Sequence, residues 1–262
     1  MVRRKRLFYD IETSFNIIAD FACGYNKTIR PNQIIKEREI ICVSYKWEGD
    51  DQVHSLRWSK KQSDKSLLKK FVKVMNNADQ LVAHNGDRFD LRWIKSRCLY
   101  HGIETENSYR TVDTLKMARA NLYMNSNKLD YLAGYFGIGG KTDTGGFDLW
   151  KRVCLDNDQE ALDKMIEYCE NDVVILEGVF HKLRKLSKAN IHYGALWDGK
   201  KFTCPECGTA HVKMRKRYTT TTGVMRFNMK CTLCETSYTI SGKQYQDLLN
   251  YKIVTGKLLA IP

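Results

Sequence analysis

Apolar and polar residues change rhythm several times along this chain, and each change predicts an element. Residues 7–13, LFYDIET, form an apolar run that reads as a strand, and residues 38–47 (REIICVSYKW) and 52–58 (QVHSLRW) are two further β-rich runs. The Gly/Asp cluster EGDD between the last two is a turn signal, so the three runs predict an antiparallel meander. From residue 64 the period becomes helical: Leu67, Leu68, Phe71, Val72 and Met75 share one face, with Asp64 placed to cap them. QLVAHN (80–85) predicts a short buried strand and FDLRWIKSRCLYHG (89–102) a helix stopped by Gly102. TVDTLKMARANLY (111–123) predicts a strand running into a helix that Asp113 caps, and KLDYLAGYFGIGGK (128–141) a helix closed by Gly137. A meander followed by alternating helices and strands is an α/β pattern.

The last helix of this region, within residues 156–186, carries an apolar stripe from Leu162 through Met165, Cys169, Val173, Leu176 and Phe180 to Leu183. Tyr168 and Asp172 stand four residues apart beside that stripe, on nearly the same face, where they look out of the core. Residues 14–37 interrupt the pattern with a long mixed stretch containing Phe15, Phe21 and Tyr25, which either pack it onto the body or stack on bases. TDTGG (142–146) is a polar glycine loop without the spacing of a phosphate cradle. Composition shifts after Leu186, which predicts a domain over 1–186, a linker over 187–200 and a small second domain over 201–262.

At 262 residues the chain has room for one sizeable core and one appended module, and 43% hydrophobic with 28% charged residues is a globular composition, not a disordered one. Its net charge of +13 points to a polyanionic partner. The second region holds a large share of that excess, with 12 Lys+Arg against 4 Asp+Glu after residue 185. No run is long and apolar enough to span a membrane, and MVRRKRLFYDIET has no signal-peptide core, so the expectation is a soluble cytoplasmic protein. RRKR can be read as a nuclear address, but a short basic run before a first strand reads better as a solvated end. Cys23, Cys42, Cys98, Cys154 and Cys169 are scattered among apolar neighbours and read as buried thiols of a reducing compartment.

Asp10 and Glu12 sit at i and i+2 of the first strand, hence on one face, where two carboxylates repel unless a cation or proton lies between them. A second acid, Asp90, follows the strand-to-helix motif Asn85-x-x-x-Phe89-Asp90, and Tyr168-x-x-x-Asp172 supplies a third motif. In this order the three segments resemble motifs I, II and III of the DEDD superfamily of 3′-5′ exonucleases, in the branch with tyrosine in the third motif. LDYLAGYFGIGGK is similar to the helix preceding motif III in proofreading domains of B-family DNA polymerases. The resemblance implies a ribonuclease H-like fold, a mixed five-stranded sheet flanked by helices. It also implies two Mg²⁺ or Mn²⁺ ions: Asp10 bridging both, Glu12 and Asp172 completing the nucleophile-side site, Asp90 supporting the second ion largely through water, and Tyr168 orienting the attacking water with Glu12. The chemistry fits these residue types, since phosphodiester cleavage by two hard divalent ions calls for carboxylate and water oxygens. Asn85 is a candidate for the turn or for the substrate end, and His84 reads as a hydrogen-bonded core histidine.

Cys204-x2-Cys207 and Cys231-x2-Cys234, separated by 23 residues, are two knuckles of a closed, structural zinc site with four cysteine ligands. Between them Lys213, Arg215, Lys216, Arg217, Arg226 and Lys230 alternate with Val, Met, Tyr and Phe, a hairpin with a basic face that resembles a zinc ribbon and suits single-strand backbones or a protein partner. The leading expectation is therefore a metal-dependent 3′-5′ exonuclease on single-stranded DNA 3′ ends, proofreading in trans or processing DNA beside a replication or repair partner. RNA 3′-end trimming is the first alternative, and a non-catalytic nucleic-acid-binding or docking module is the second.

Overall fold

The computed structural model describes residues 4–21, 24, 27–106, 108–140, 145–187 and 192–256, with Trp197 described by its backbone alone. In chain order the elements are β1 (Arg6–Thr13), β2 (Ile17–Ile18), a 3₁₀ turn (Pro31–Gln33), β3 (Ile34–Lys36), β4 (Ile40–Trp47), β5 (His54–Arg57), α1 (Lys65–Met75), β6 (Gln80–Ala83), α2 (Asp90–Tyr100), β7 (Arg110–Asp113), α3 (Thr114–Asn121), α4 (Leu129–Phe136), α5 (Phe147–Cys154), α6 (Gln159–Leu183), α7 (Tyr193–Asp198), β8 (Val212–Thr219), β9 (Met225–Cys231), β10 (Ser237–Ser241) and α8 (Gly242–Val254). They form two compact units, residues 5–180 and a second made of the first four residues with 181–262.

The first unit is built on a mixed sheet in the order β5-β4-β1-β6-β7. β1, β4 and β5 form the antiparallel meander, while β6 and β7 run parallel to β1, each reached through helical connections. The two-residue period of β1 divides its side chains. Leu7, Tyr9 and Ile11 enter a core with Leu67, Leu68 and Phe71 of α1 and Ile94 of α2. Phe8 turns to the opposite face and meets Phe180 of α6 edge-on at 5.4 Å, and Asp10 and Glu12 share that face by period. On this side Leu149 and Val153 of α5 pack with Leu162, Met165 and Cys169 of α6.

Several local expectations change. Asp64 precedes α1 but makes no capping hydrogen bond. Its fully buried carboxylate instead accepts from Arg97 Nε at 2.7 Å, Arg97 Nη2 at 2.9 Å and Ile40 N at 3.1 Å, with His101 Nε2 at 2.6 Å, so it ties β4 to α2. The guanidinium holds this carboxyl below its ordinary pKa, although burial alone would raise it. Two arginines of the basic run RRKR are not solvated, although Lys5 between them is exposed. Arg4 is buried against Glu206 at 2.9 Å, and Arg6 is buried against Gln80 and Glu48, at 2.9 and 2.5 Å. Within residues 14–37, β2 and β3 pair in a two-stranded sheet and Phe15 packs on Phe147, while Phe21 is fully exposed. Tyr25, Cys23 and residues 142–144 of TDTGG lie outside the described residues.

The second unit folds around a three-stranded sheet, β10-β9-β8, with Phe227, Met229, Ile240 and Leu248 in its core and Phe227 stacked on Tyr245 of α8 at 4.1 Å. Residues 192–200, expected within a linker, carry α7 and pack into this unit. Tyr193 N donates to Pro205 O at 2.7 Å, and a Cβ on Gly194 would come within 2.0 Å of Thr203 Oγ1. α5, α7, β10 and α8 are additions to the elements expected from the pattern.

Candidate active site and a separate cysteine cluster

β1, β6 and β7 are parallel, so their C-terminal ends lie on one edge of the sheet, the edge where open α/β sheets place ligands. Asp10 and Glu12 come from the end of β1, His84 and Asn85 follow β6, and Asp113 ends β7. After β6 the chain turns through Asn85 in a left-handed conformation (φ 65°), its N–H donating to Asp113 Oδ1 at 2.9 Å and its carbonyl accepting from Arg88 N and Phe89 N. Gly86 is required here, because a Cβ would stand 2.4 Å from that of Ala83. This turn delivers Asp90, 3% exposed, at the start of α2, where its carboxylate accepts the N–H of Ile11, the residue between Asp10 and Glu12. α6 brings Asp172 and Tyr168 onto the same side, both buried, with the Tyr168 hydroxyl hydrogen-bonded to Asp172.

The structure thus brings together all five residues expected at this site. Their electrostatics show the cost of the arrangement. Burial, reinforced by the charges of Asp90, Glu12 and Asp172, pushes the Asp10 carboxyl well above its ordinary range. Burial pushes Asp90 up to about 7, with Asp113 adding to the rise and the backbone donors opposing it. Tyr168 is raised as well, by burial and then by the charges of Asp172 and Glu12, so its phenol keeps its proton. Such a like-charged, oxygen-only donor set fits hard divalent cations, which would neutralise the repulsion. Among the described residues no three of these carboxylates bring oxygens within 4.8 Å of one another.

Neighbouring groups have structural tasks. Asp113 caps α3 by accepting from Leu115 N and Lys116 N. His84 is 2.9 Å from both Thr114 Oγ1 and Asn127 O. A carbonyl only accepts, so Nε2 carries the proton and Nδ1 takes the Thr114 hydroxyl, and burial lowers the histidine's pKa, keeping it neutral. Cys169 lies 3.6 Å from Asp10 Oδ2, a contact that its place in the apolar stripe conceals. Asn85, Asp10 and Asp172 line a cleft of about 700 Å³ whose other wall is the segment between α3 and α4. That segment, with Asn125, Asn127 and Lys128, and the flanking Arg119 of α3 and Asp130 of α4 were not singled out from sequence. Its only signal is a polar run, NSNK, between two helices.

In the second unit Cys204, Cys207, Cys231 and Cys234 bring their sulfurs within 4.8 Å of one another. The N–H groups of Leu233 and Cys234 donate to Cys231 Sγ at 3.4 and 3.5 Å. Four thiols this close fit one tetrahedral zinc ion with no open position. The expected basic residues lie on β8 and β9. Every residue of β8 after Val212 is exposed, Lys213 faces Lys230 across the ladder, and a bulge falls at Arg215.

A mixed five-stranded sheet, flanked by helices and gathering acids at the C-terminal edge of its parallel strands, defines a ribonuclease H-like domain. The chain belongs to the RNase_H superfamily, whose family model matches residues 34–184. That span includes Asp90, Tyr168 and Asp172 and begins after Asp10 and Glu12. The chain is also similar to a DNA polymerase of Thermococcus hydrothermalis, 29% identical over 110 residues, 38% of this chain and 6% of that protein. The structure of the family B DNA polymerase from Pyrobaculum calidifontis shares the fold, with a TM-score of 0.52 and 17% identity over 69% of this chain and 24% of that one. The chain therefore spans only a small part of the length of either polymerase.

Proposed function

We propose that the chain is a two-metal-ion 3′-5′ exonuclease that removes nucleotides from single-stranded DNA ends. The observation that carries this reading is the convergence of Asp10, Glu12, Asp90, Asp172 and Tyr168 from three separate elements on one edge of the sheet. The similarity to DNA polymerases supports DNA as the substrate. Asp10, Glu12, Asp90 and Asp172 would hold Mg²⁺ or Mn²⁺. Bound there, such ions supply charge neutralisation at the scissile phosphate and acidify the attacking water. Tyr168, a protonated phenol held by Asp172, orients that water and does not remove its proton. Asp113 holds the Asn85 turn so that Asp90 stays against β1.

The basic hairpin extends the reading to the second unit. Lys213, Arg215, Lys216 and Arg217 are exposed and make no ion pair among the described residues, and Arg226 and Lys230 lie across the ladder. A like-charge pair such as Lys213 and Lys230 is unfavourable unless an anion lies near, which suits phosphates of a bound strand. The closed cysteine site would hold this hairpin in shape. Buried free thiols at Cys42, Cys98, Cys154 and Cys169 suit a reducing, cytoplasmic setting, with a replication or repair protein as a fitting partner.

The test is cleavage of 5′-labelled single-stranded DNA and RNA of one sequence with Mg²⁺ or Mn²⁺, comparing the native protein with Asp10→Ala. A metal-dependent ladder shortening from the 3′ end and lost in the variant is expected, stronger on DNA. Equal cutting by the variant, or none by the native protein, overturns the assignment.

A further inference from the structure

The carboxylates at the sheet edge are not held alike. Asp90 accepts backbone N–H groups, its own and that of Ile11, and Asp172 is hydrogen-bonded to the Tyr168 hydroxyl. Asp10 has neither kind of support. Among the described residues the one hydrogen-bond donor to its carboxylate is the thiol of Cys169, whose Sγ lies 3.6 Å from Asp10 Oδ2 and 3.5 Å from Asp10 O. Cys169 stands on α6 between Tyr168 and Asp172 in sequence, yet it belongs to the apolar cluster of Ile41, Leu162 and Met165 and is fully buried there. Its sulfur also hydrogen-bonds with that of Cys42 on β4, a fully buried residue that faces Glu12 across the ladder. Close packing on all sides fixes the thiol in one place.

The chemistry of the donor matters as much as its position. An ionised carboxylate has about four lone-pair sites, and a thiol is a weak donor to any of them. A hydroxyl or amide in the same place would draw more charge from an oxygen that has to face cations. A thiol can set the torsion of the side chain and leave most of the negative charge directed at the cleft, which Asp10 lines.

We propose that Cys169 is a positioning residue for Asp10: its S–H, shared between the main-chain and carboxylate oxygens of Asp10, holds that carboxylate in the orientation in which it takes a divalent ion. The inference rests on the exonuclease reading for the role of Asp10 as a cation ligand. Cys169 acts through Asp10 and not on the reacting atoms. Partners that orient a ligand in this way are worth about 10–100-fold in metal affinity or activity.

The experiment compares native protein with Cys169→Ala, Cys169→Ser and Cys42→Ala, each loaded with zinc and then titrated with Mn²⁺ by electron paramagnetic resonance. Cys169→Ala should bind Mn²⁺ about tenfold or more weakly. The Mn²⁺ concentration for half-maximal cleavage of single-stranded DNA should rise with it, while KM for the strand stays within about twofold. Cys169→Ser keeps a donor and should keep most of the Mn²⁺ affinity. Cys42→Ala removes a sulfur from the same cluster but no hydrogen bond to Asp10, so it should lower the melting temperature as Cys169→Ala does and bind Mn²⁺ as the native protein does. Native affinity in Cys169→Ala, or an equal loss in Cys42→Ala, overturns the positioning role and leaves the exonuclease reading intact if Asp10→Ala still loses Mn²⁺ and cleavage. This pattern of Mn²⁺ affinities in a protein that cuts no strand sinks the exonuclease and leaves the positioning of Asp10 standing. Mn²⁺ binding that Asp10→Ala does not weaken sinks both.

Discussion

Four carboxylates around Asp10 and four thiols around Cys204 both crowd groups that repel when ionised, yet the chain supports them in different ways. The carboxylates come from β1, α2 and α6, each anchored in a large core, so their positions are set by packing that needs no ion. The thiols sit on two knuckles of a small unit whose own core includes Cys204, Cys231 and Cys234. There the ligands and the core are the same residues. A site whose scaffold stands alone can stay open to water and substrate, whereas one that is part of its own scaffold has to be closed. Removing metal should therefore silence the first and unfold the second.

The largest effect is expected at the thiols. Cys234→Ser, or a strong chelator, should remove free energy on the order of 10 kcal/mol from the small unit. Far-UV dichroism and proteolysis should show residues 192–256 unfolding while 5–180 persists, and intact ribbon structure after zinc removal would break the contrast. Asp10→Ala should lower kcat by about 10³-fold or more, roughly 4 kcal/mol. Its metal-free melting temperature should not fall, because a buried like charge has gone. A variant that melts earlier would mean that Asp10 holds the fold and not the ions.

The Asp90 carboxyl gives the comparison a pH signature. Its folded value, about 7, lies above the ordinary 3.8, so its contribution to stability is fully present below about 4 and is lost as pH rises through 7. In metal-free protein, Asp90→Asn should be less sensitive to that rise. The melting-temperature difference, variant minus native, should grow from pH 5 to about 7 and then level, and saturating Mn²⁺ should stabilise the native protein more at pH 8 than at pH 6. A difference that stays flat with pH would show that Asp90 is not raised. Tyr168→Phe is a smaller change, costing roughly 10²-fold in kcat through a misplaced water, with KM unchanged. A pH profile shifted by this substitution would instead make the phenol a base. Smallest is the hairpin: Arg215→Gln/Lys216→Gln/Arg217→Gln should flatten the salt slope of single-strand binding by about 2. An unchanged slope would favour a protein partner for β8.

Much of the first unit was legible because its rules are periodic. The alternation in LFYDIET separates Leu7, Tyr9 and Ile11 from Phe8, and the stripe of α6 leaves Tyr168 and Asp172 beside the packed face. Asp113 as a cap and Gly137 as a left-handed stop followed from local backbone chemistry. Long-range pairing was not legible. Asp64 reads as a cap until Arg97, 33 residues away, claims both its oxygens, and Arg4 and Arg6 read as solvated until Glu206 and Glu48 reach them. α8 carries a local sequence signal, the capping box formed by Ser241 and Gln244. The α3–α4 wall had almost none, because a polar run between helices looks the same whether it faces solvent or a cleft.

If the carboxylates and the thiols hold chemically distinct metals, counting the ions bound per chain separates the two sites. Native protein and Asp10→Ala would be assayed for zinc per chain and then titrated with Mn²⁺ by calorimetry or electron paramagnetic resonance. One zinc in both proteins, with Mn²⁺ bound by the native chain and lost from the variant, is the expected result. Mn²⁺ binding that survives Asp10→Ala, or zinc that departs with it, would mean that the carboxylates and the thiols are not two independent metal sites.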